Sequence, residues 1–418
     1  MTTSSKPSPE AEIFNQRIKL IDDAVALKET DKIPFAPFLS SIIQRFNGSS
    51  YRDLFYDYER AGEALLTFYR NYPLCDAHYF SGFTSGRANE IAGSTMIDWP
   101  GRPGTGVSDH SSHQVLEHEY LLSEEYPELL NDYTGFMLRK YIPRAYAGLK
   151  GFSELNLTPT VVLNTTFLGP LYSPDMVEAF GRLADIGKLD AEAQSRFLDY
   201  STKLAEIGLP PMITGISEAP YDILGDYFRG TVGLMTDLFN HEEEIAAACD
   251  MFADQQIKSL QYFRTMPLPV KRVFIPLHKG MDGFMSPEQY EKLYWKPLKK
   301  ILMALIDMEV TPLVYTEGKY NTRLEQLTDI PKGKVIYHFE EVDMAVAKKT
   351  LGNVACIAGN LPIMLLEFGK KEAVVDYCKY LIDTCAPGGG YIFELNGCLE
   401  NAKPENLDAM FDVFETYV

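Results

Sequence analysis

Glu317, His338 and Cys398 offer a carboxylate, an imidazole and a thiol, the side-chain types that ordinarily ligate zinc. Each stands at or just past the C-terminal end of a strand-like run: VTPLVYTE, KVIYHF and GYIFELNGC. They are far apart in sequence. If alternating strands and helices close into a barrel, they converge on one rim, where barrel enzymes place their chemistry. The expectation is a mononuclear zinc site with an open fourth position. The acids Glu340, Glu341 and Asp343 after His338 are candidates to orient its second ring nitrogen, as metal-bound histidine usually requires. Taken singly, each residue also has an ordinary reading: a rim salt bridge for Glu317, a satisfied core imidazole for His338, a buried thiol for Cys398.

Other residues fall near the same rim. Tyr315 precedes Glu317 by two and faces the same side, so it is a candidate substrate contact. His278 and Asp282 flank the loop HKGMDGF after the strand VKRVFIPLH. Asp282 is expected to act as a substrate-facing or supporting acid, the alternative being a helix cap. A second group comprises Asp109, His110, His113, Glu117 and His118. His113 and Glu117, four apart, would share a helix face and could bind metal, or the group could line the active-site mouth. His113 and His278 are taken as candidate cofactor contacts.

The elements that must position these residues follow from patterning. Residues 11–30 read as an amphipathic helix and residues 1–10 as disordered. KIPFAPFL and LCDAHYF are short strand candidates, a helix is expected near 51–71, residues 81–114 read as a long irregular segment, and helices are expected over 115–154. From about 158 strands and helices alternate: TPTVVLN, helices over 173–207 and 217–265 with a strand or loop at PPMITGIS, then VKRVFIPLH, VTPLVYTE, KVIYHFE, NVACIAGN and GYIFELN. Ser286, Pro287 and Gln289 make a capping box for a helix over 286–307, which Pro297 should kink. Further helices are expected near 321–328, 341–350, 362–368 and 371–385, and after Pro404. Apolar strands without period-two alternation indicate a parallel sheet covered on both faces. The expected fold is α/β, a (β/α)8 TIM barrel with additional N-terminal helices; an open doubly wound sheet is the alternative. The whole of 1–418 is expected to be one domain, with 11–154 as a helical and loop elaboration.

Bulk properties narrow the function classes. With 39 Lys and Arg against 58 Asp and Glu, the net charge is −19, which disfavours nucleic-acid binding. No G-x-G-x-x-G follows the first strand and no P-loop occurs, so nucleotide binding has no support. Six cysteines without framework spacing read as free thiols in a reducing compartment. The polar start MTTSSKPSPEAE and the lack of a long apolar run point to the cytoplasm rather than a membrane, and a homodimer is compatible with the sequence.

The stretches DGFMSPEQYEKLYWKPLKKIL, GNLP at Gly359–Pro362, GGGYIFELNGC and KPENLDAMFDVFETY resemble the uroporphyrinogen decarboxylase superfamily, chiefly over 270–418. The arginine-rich motif of the decarboxylase itself is missing, and the chain looks more like the zinc- and corrinoid-dependent methyltransferases. Where thiol-activating members carry His-x-Cys, this chain has Tyr315-Thr316-Glu317, while Cys398 keeps the final cysteine position. Glu317-x20-His338 resembles part of the Glu-x14-Glu-x20-His motif of bacterial O-demethylase methyltransferases, with Leu302 in place of the first glutamate. The resemblance implies a zinc enzyme that moves a methyl group from a small methoxylated, aromatic substrate to the Co(I) of a separate corrinoid protein. A carboxylate in place of a thiolate hardens zinc toward an oxygen leaving group. Competing readings are methyl transfer from a methyl-corrinoid to a thiol, a decarboxylase-like lyase, and a non-catalytic barrel that binds a corrinoid protein.

Overall fold

The computed structural model describes residues 8–158 and 165–418. In chain order its strands are β1 (Ile97–Asp98), β2 (Gln114–Val115), β3 (Gly215–Ile216), β4 (Arg272–Leu277), β5 (Thr311–Lys319), β6 (Ile336–Glu341), β7 (Cys356–Ala358) and β8 (Tyr391–Ile392). β1 and β2 pair antiparallel in the N-terminal elaboration, while β3 to β8 form one parallel sheet in sequence order. Two further staves close that sheet. Phe35 bridges Phe393 in parallel; the Ala36 N–H donates to the Phe393 carbonyl at 3.2 Å and the Phe393 N–H to the Pro34 carbonyl at 2.9 Å. The Asp76 N–H donates to the Phe35 carbonyl at 2.7 Å. His78 bridges Pro211 just ahead of β3. The result is an eight-membered ring, the expected TIM-type barrel with helices added before it. KIPFAPFL and LCDAHYF supply these staves as single bridges rather than full strands. Pro34 and Pro37 have no N–H to give to a ladder, so pairing there stays local.

The helix expected over 286–307 is present but not uniform. Ser286 Oγ accepts the Gln289 N–H at 3.2 Å and Gln289 Oε1 accepts the Ser286 N–H at 3.1 Å, completing the capping box. A π-helical turn, Tyr290–Trp295, runs into Lys296–Asp307. This widened turn lies directly before Pro297, where the regular bonding pattern loses a donor. Leu293, Leu298, Ile301, Leu302 and Leu305 are all fully buried, as their spacing predicts. The closing helix Pro404–Thr416 lays Phe411 and Phe414 on Phe35, with ring centroids 5.1 and 4.2 Å apart.

Several local expectations are corrected. The first helix spans Pro9–Val25, beginning inside the segment read as disordered because Ser8 caps it and proline suits its first turn. It stops where Leu27 turns left-handed. Residues 1–7 lie outside the described residues, as does TPTVVLN apart from Thr158. The segment 81–114 holds a helix, Gly86–Ala92, capped by Ser85. Near 321–328 only a short 3-10 turn forms, Gln326–Thr328. There Thr322 gives its N–H and hydroxyl to Asp282, and Arg323 is drawn inward to the Met285 carbonyl and over the Tyr290 ring. No helix of the described residues is long and apolar enough to cross a membrane.

A buried ion pair anchors the helix Gly230–Asn240 above the sheet. Arg229 donates from Nε to Asp237 at 2.6 Å and from Nη1 to the Leu121 carbonyl at 2.5 Å; Tyr126 donates to the same aspartate at 2.8 Å. Removing the acid strands a buried guanidinium. Asp237→Ala should cost roughly 3–5 kcal/mol in denaturant unfolding, and Arg229→Met/Asp237→Leu together much less.

Candidate functional site

At the C-terminal end of β4 the chain continues into His278 and Lys279, and an acidic pair from the segment after β3 receives both. Asp222, in the helical turn Pro220–Ile223, is fully buried. Its carboxylate accepts the backbone N–H groups of His278 and Lys279, each at 2.9 Å, and the Tyr294 hydroxyl at 2.5 Å. Burial nevertheless holds its pKa above the usual carboxylate value. Four residues on, in the π-helical turn Leu224–Arg229, Asp226 meets His278 Nδ1 at 2.6 Å and contacts Lys279 Nζ. Burial alone would raise the Asp226 pKa; the two cations outweigh it and bring the value down. Gly225 makes room for this contact, since a Cβ there would lie 2.6 Å from the Lys279 stem.

His278 is the electrostatic centre. Burial works against its charge, but the hydrogen bond to Asp226 and the charges of Asp222, Asp226 and Glu317 prevail, and its pKa rises to about 9. Near pH 7 it is an imidazolium, with Nδ1 committed to Asp226 and Nε2 3.7 Å from Glu317 Oε1 at the end of β5. Glu317 is held above its ordinary pKa by burial, which His278 opposes and Glu340 reinforces. Glu340, from β6, accepts the Gly318 N–H and so fixes the turn that carries Glu317. The pairing of β5 with β6 shifts register at this point.

The other expected site residues take distinct places. Tyr315 is opposite His338 in the β5–β6 register, one layer below Glu317, and its hydroxyl donates to the Asn396 carbonyl at 3.0 Å. That bond steadies the loop leading to Cys398. Cys398 is reached by solvent, but burial of its surroundings and then Glu317, Glu400 and Glu340 push its thiol up to about 12. His338 is wholly buried, with Nε2 2.6 Å from the Leu395 carbonyl; burial lowers its pKa to about 4, so it is neutral and Nε2 is the donor. A backbone carbonyl therefore orients this ring, not the acids that follow it: Glu340 serves Gly318, and Asp343 caps the helix Met344–Leu351. Asp282 is half-buried and spends its carboxylate on Thr322, pinning the loop after β5.

The 109–118 group forms no shared helix face, because His113 precedes β2 and Glu117 follows it. Instead the segment lies across the mouth. The Ser112 N–H donates to Glu400 at 3.2 Å, and Glu400 partly offsets the lowering of the His113 pKa by burial. Glu117 accepts the Thr231 N–H and hydroxyl at 2.9 and 2.6 Å and lies 3.6 Å from Lys279 Nζ. Asp222, Asp226 and Lys279 are the functional-site residues that sequence reasoning missed, while Glu117 and Glu340 take roles other than those expected of them. The four-residue spacing in DILGD, directly after a strand candidate, was the available signal for the two aspartates.

The expected zinc ligands suit the metal in their chemistry but not in their placement. The donor set is chemically suited: His338 presents an unpartnered buried Nδ1, with its tautomer fixed from the other nitrogen. Placement differs from the expectation, since among the described residues no three His, Cys, Asp or Glu side chains are grouped closely enough to hold a metal ion.

The His278 assignment makes a pH prediction. Its folded pKa lies above the ordinary 6.5, so the stability it contributes is complete below about 6.5 and is lost as pH rises through about 9. NMR titration should find one imidazole with a midpoint near 9 that falls toward 6.5 in Asp226→Asn.

No curated protein matches this sequence. The structure of a methyltransferase from Methanosarcina mazei is similar over 97% of this chain and 98% of that one, with a TM-score of 0.61 and 14% sequence identity. At that identity the likeness shows the fold. The profile of the uroporphyrinogen decarboxylase (URO-D) family matches residues 169–417, which hold β3 to β8 and the acidic pair. With more than half of its length matched, the chain belongs to the uroporphyrinogen decarboxylase family.

Proposed function

We propose that this protein is a methyltransferase that moves a methyl group from a small methoxylated, aromatic substrate to the Co(I) of a separate corrinoid protein. The observation that carries the reading is the imidazolium of His278, held by Asp226 and facing Glu317 at the barrel mouth. Methyl transfer from an ether needs a group that can take up charge on the departing oxygen. In the proposed step the methyl carbon–oxygen bond breaks as the acceptor cobalt supplies the electron pair for the new bond to carbon. The oxygen keeps its bonding pair and takes the Nε2 proton of His278, leaving a phenol. Asp226 keeps Nδ1 occupied, so Nε2 alone is presented to the substrate. With its pKa raised to about 9, His278 regains its proton from solvent at neutral pH for the next cycle. Tyr315 and Asp282 act in this scheme by fixing the loops around the mouth rather than by proton transfer. The methyltransferase fold neighbour and the family membership support this reading.

Zinc is part of the proposal: Glu317, His338 and Cys398 would hold it once drawn together from the separate positions they take among the described residues. When bound it would supply Lewis acidity for an oxygen leaving group.

The test is a panel of methoxyarenes incubated with purified protein, zinc and a Co(I) corrinoid protein, followed by visible spectroscopy of the corrinoid. Methylation of cobalt with release of a phenol is expected, and no donor giving it would refute the reaction. Glu317→Ala, His338→Ala and Cys398→Ala should each lose metal by elemental analysis and lose transfer while remaining folded. Full transfer in all three would dismiss the metal assignment. His278→Gln should lower kcat by about 10²–10⁴-fold, the usual contribution of a positioned acid.

A further inference from the structure

The helix Pro174–Glu206, the longest among the described residues, is covered on one side. Met176, Ala179, Ala193, Tyr200 and Leu204 are its buried residues. The opposite side is patterned just as regularly. From Val177, steps of four and three residues alternate through Gly181, Ala184 and Lys188 to Leu198 and Thr202, and every position reached is exposed. This is a heptad seam sustained for nearly four repeats, roughly 38 Å at 1.5 Å per residue. The helix carries seven acids, yet none lies on the seam. Val177 is 55% and Leu198 56% exposed, and Phe180 on the seam's edge is 43% exposed. Gly181 and Gly187 have open space above them, since an added Cβ would meet nothing within 4 Å. Glycine weakens a helix interior; what it offers in return is close approach of another surface.

A second copy of the same helix, running the opposite way and centred near Leu189 and Asp190, matches these features. Leu198 of the copy falls over the open space at Gly181, Val177 falls opposite Thr202, and Ala184 opposite Ser195, so large residues meet small ones. Lys188, the one charge on the seam, falls beside Ala191 and Glu192 of the copy. On the flank, Asp185 comes opposite Arg196 and Arg182 opposite Asp199, and two-fold symmetry makes each of these pairs twice. In the single chain these side chains are solvated and bonded only along their own helix: Arg182 to Glu178 at 2.6 Å, Asp185 to Lys188 at 2.9 Å and Arg196 to Asp199 at 3.8 Å. A parallel copy matches poorly. It sets Lys188 against Lys188 and leaves Gly181 facing Gly181 with the gap unfilled.

We propose that the exposed seam of Pro174–Glu206 binds a second copy of this chain, forming a two-fold dimer through antiparallel helices. The proposal is independent of the reaction proposed above.

Sedimentation equilibrium of the full-length protein from about 1 to 100 μM provides the test. A species of twice the 47.2 kDa chain mass should grow with concentration. Leu198→Glu should raise its dissociation constant at least about tenfold, because a two-fold interface feels each change twice. Leu198 is exposed, so the variant should keep the circular dichroism and melting profile of the parent; Val177→Glu is the second variant of the same kind. Asp185→Arg and Arg196→Glu should each weaken the dimer severalfold, and the two together should restore it. A monomer at every concentration would overturn the proposal. So would a dimer indifferent to both glutamate variants, which places the contact elsewhere. A charge exchange that fails to restore association would overturn the antiparallel register.

Discussion

The mouth of this barrel is organised by carboxylates that hold cations which would otherwise discharge. Asp222 accepts two successive backbone N–H groups and a tyrosine hydroxyl, so the turn leaving β4 has one conformation. That turn sets His278 and Lys279 side by side, an arrangement that repels unless an anion lies between them. Asp226 is that anion. Without Asp222 the turn loses three hydrogen bonds, and without Asp226 His278 loses the largest interaction that opposes the effect of burial on its charge. Glu317, the residue with which the sequence reading begins, is tied to this pair as well, because the imidazolium it faces is held chiefly by Asp226.

The parallel barrel was legible because its strands are short, apolar and punctuated by helices with clear caps; the capping box at Ser286 and the buried stripe behind it are seen as expected. The first two staves were legible as candidates but not as bridges; in the first, Pro34 and Pro37 limit the pairing and also weaken the strand pattern. Site residues on strand ends were found because barrel geometry singles out those positions. Asp222 and Asp226 were harder, for they sit in a helical stretch that reads as ordinary surface. Their meaning depends on a π-helical turn that no local pattern announces. The stretch near 321–328 failed for a related reason. Its helix-compatible residues are diverted to Asp282, Met285 and Tyr290, partners distant in sequence.

His338 shows how depth within a strand separates residues that sequence places together. Glu317 and His338 end neighbouring strands, yet the register pairs His338 with Tyr315, which puts the imidazole a layer lower. At that depth it is dry and neutral, and the Leu395 carbonyl determines which nitrogen carries hydrogen. Glu340, not His338, shares the upper layer with Glu317. A one-layer offset along a strand amounts to several ångströms, enough to separate the proton chemistry of the rim from the aromatic interior.

The stave around Phe35 gives the barrel a seam. Most neighbouring strands are laced by runs of backbone bonds, but here closure rests on a few bonds flanking two prolines, backed by the Phe35, Phe393, Phe411 and Phe414 rings. Ring stacking tolerates small sliding in a way that a hydrogen-bonded ladder does not. Thermal breathing of the cylinder should therefore concentrate along this line, with the first and last segments of the chain parting together while β4 to β6 stay laced.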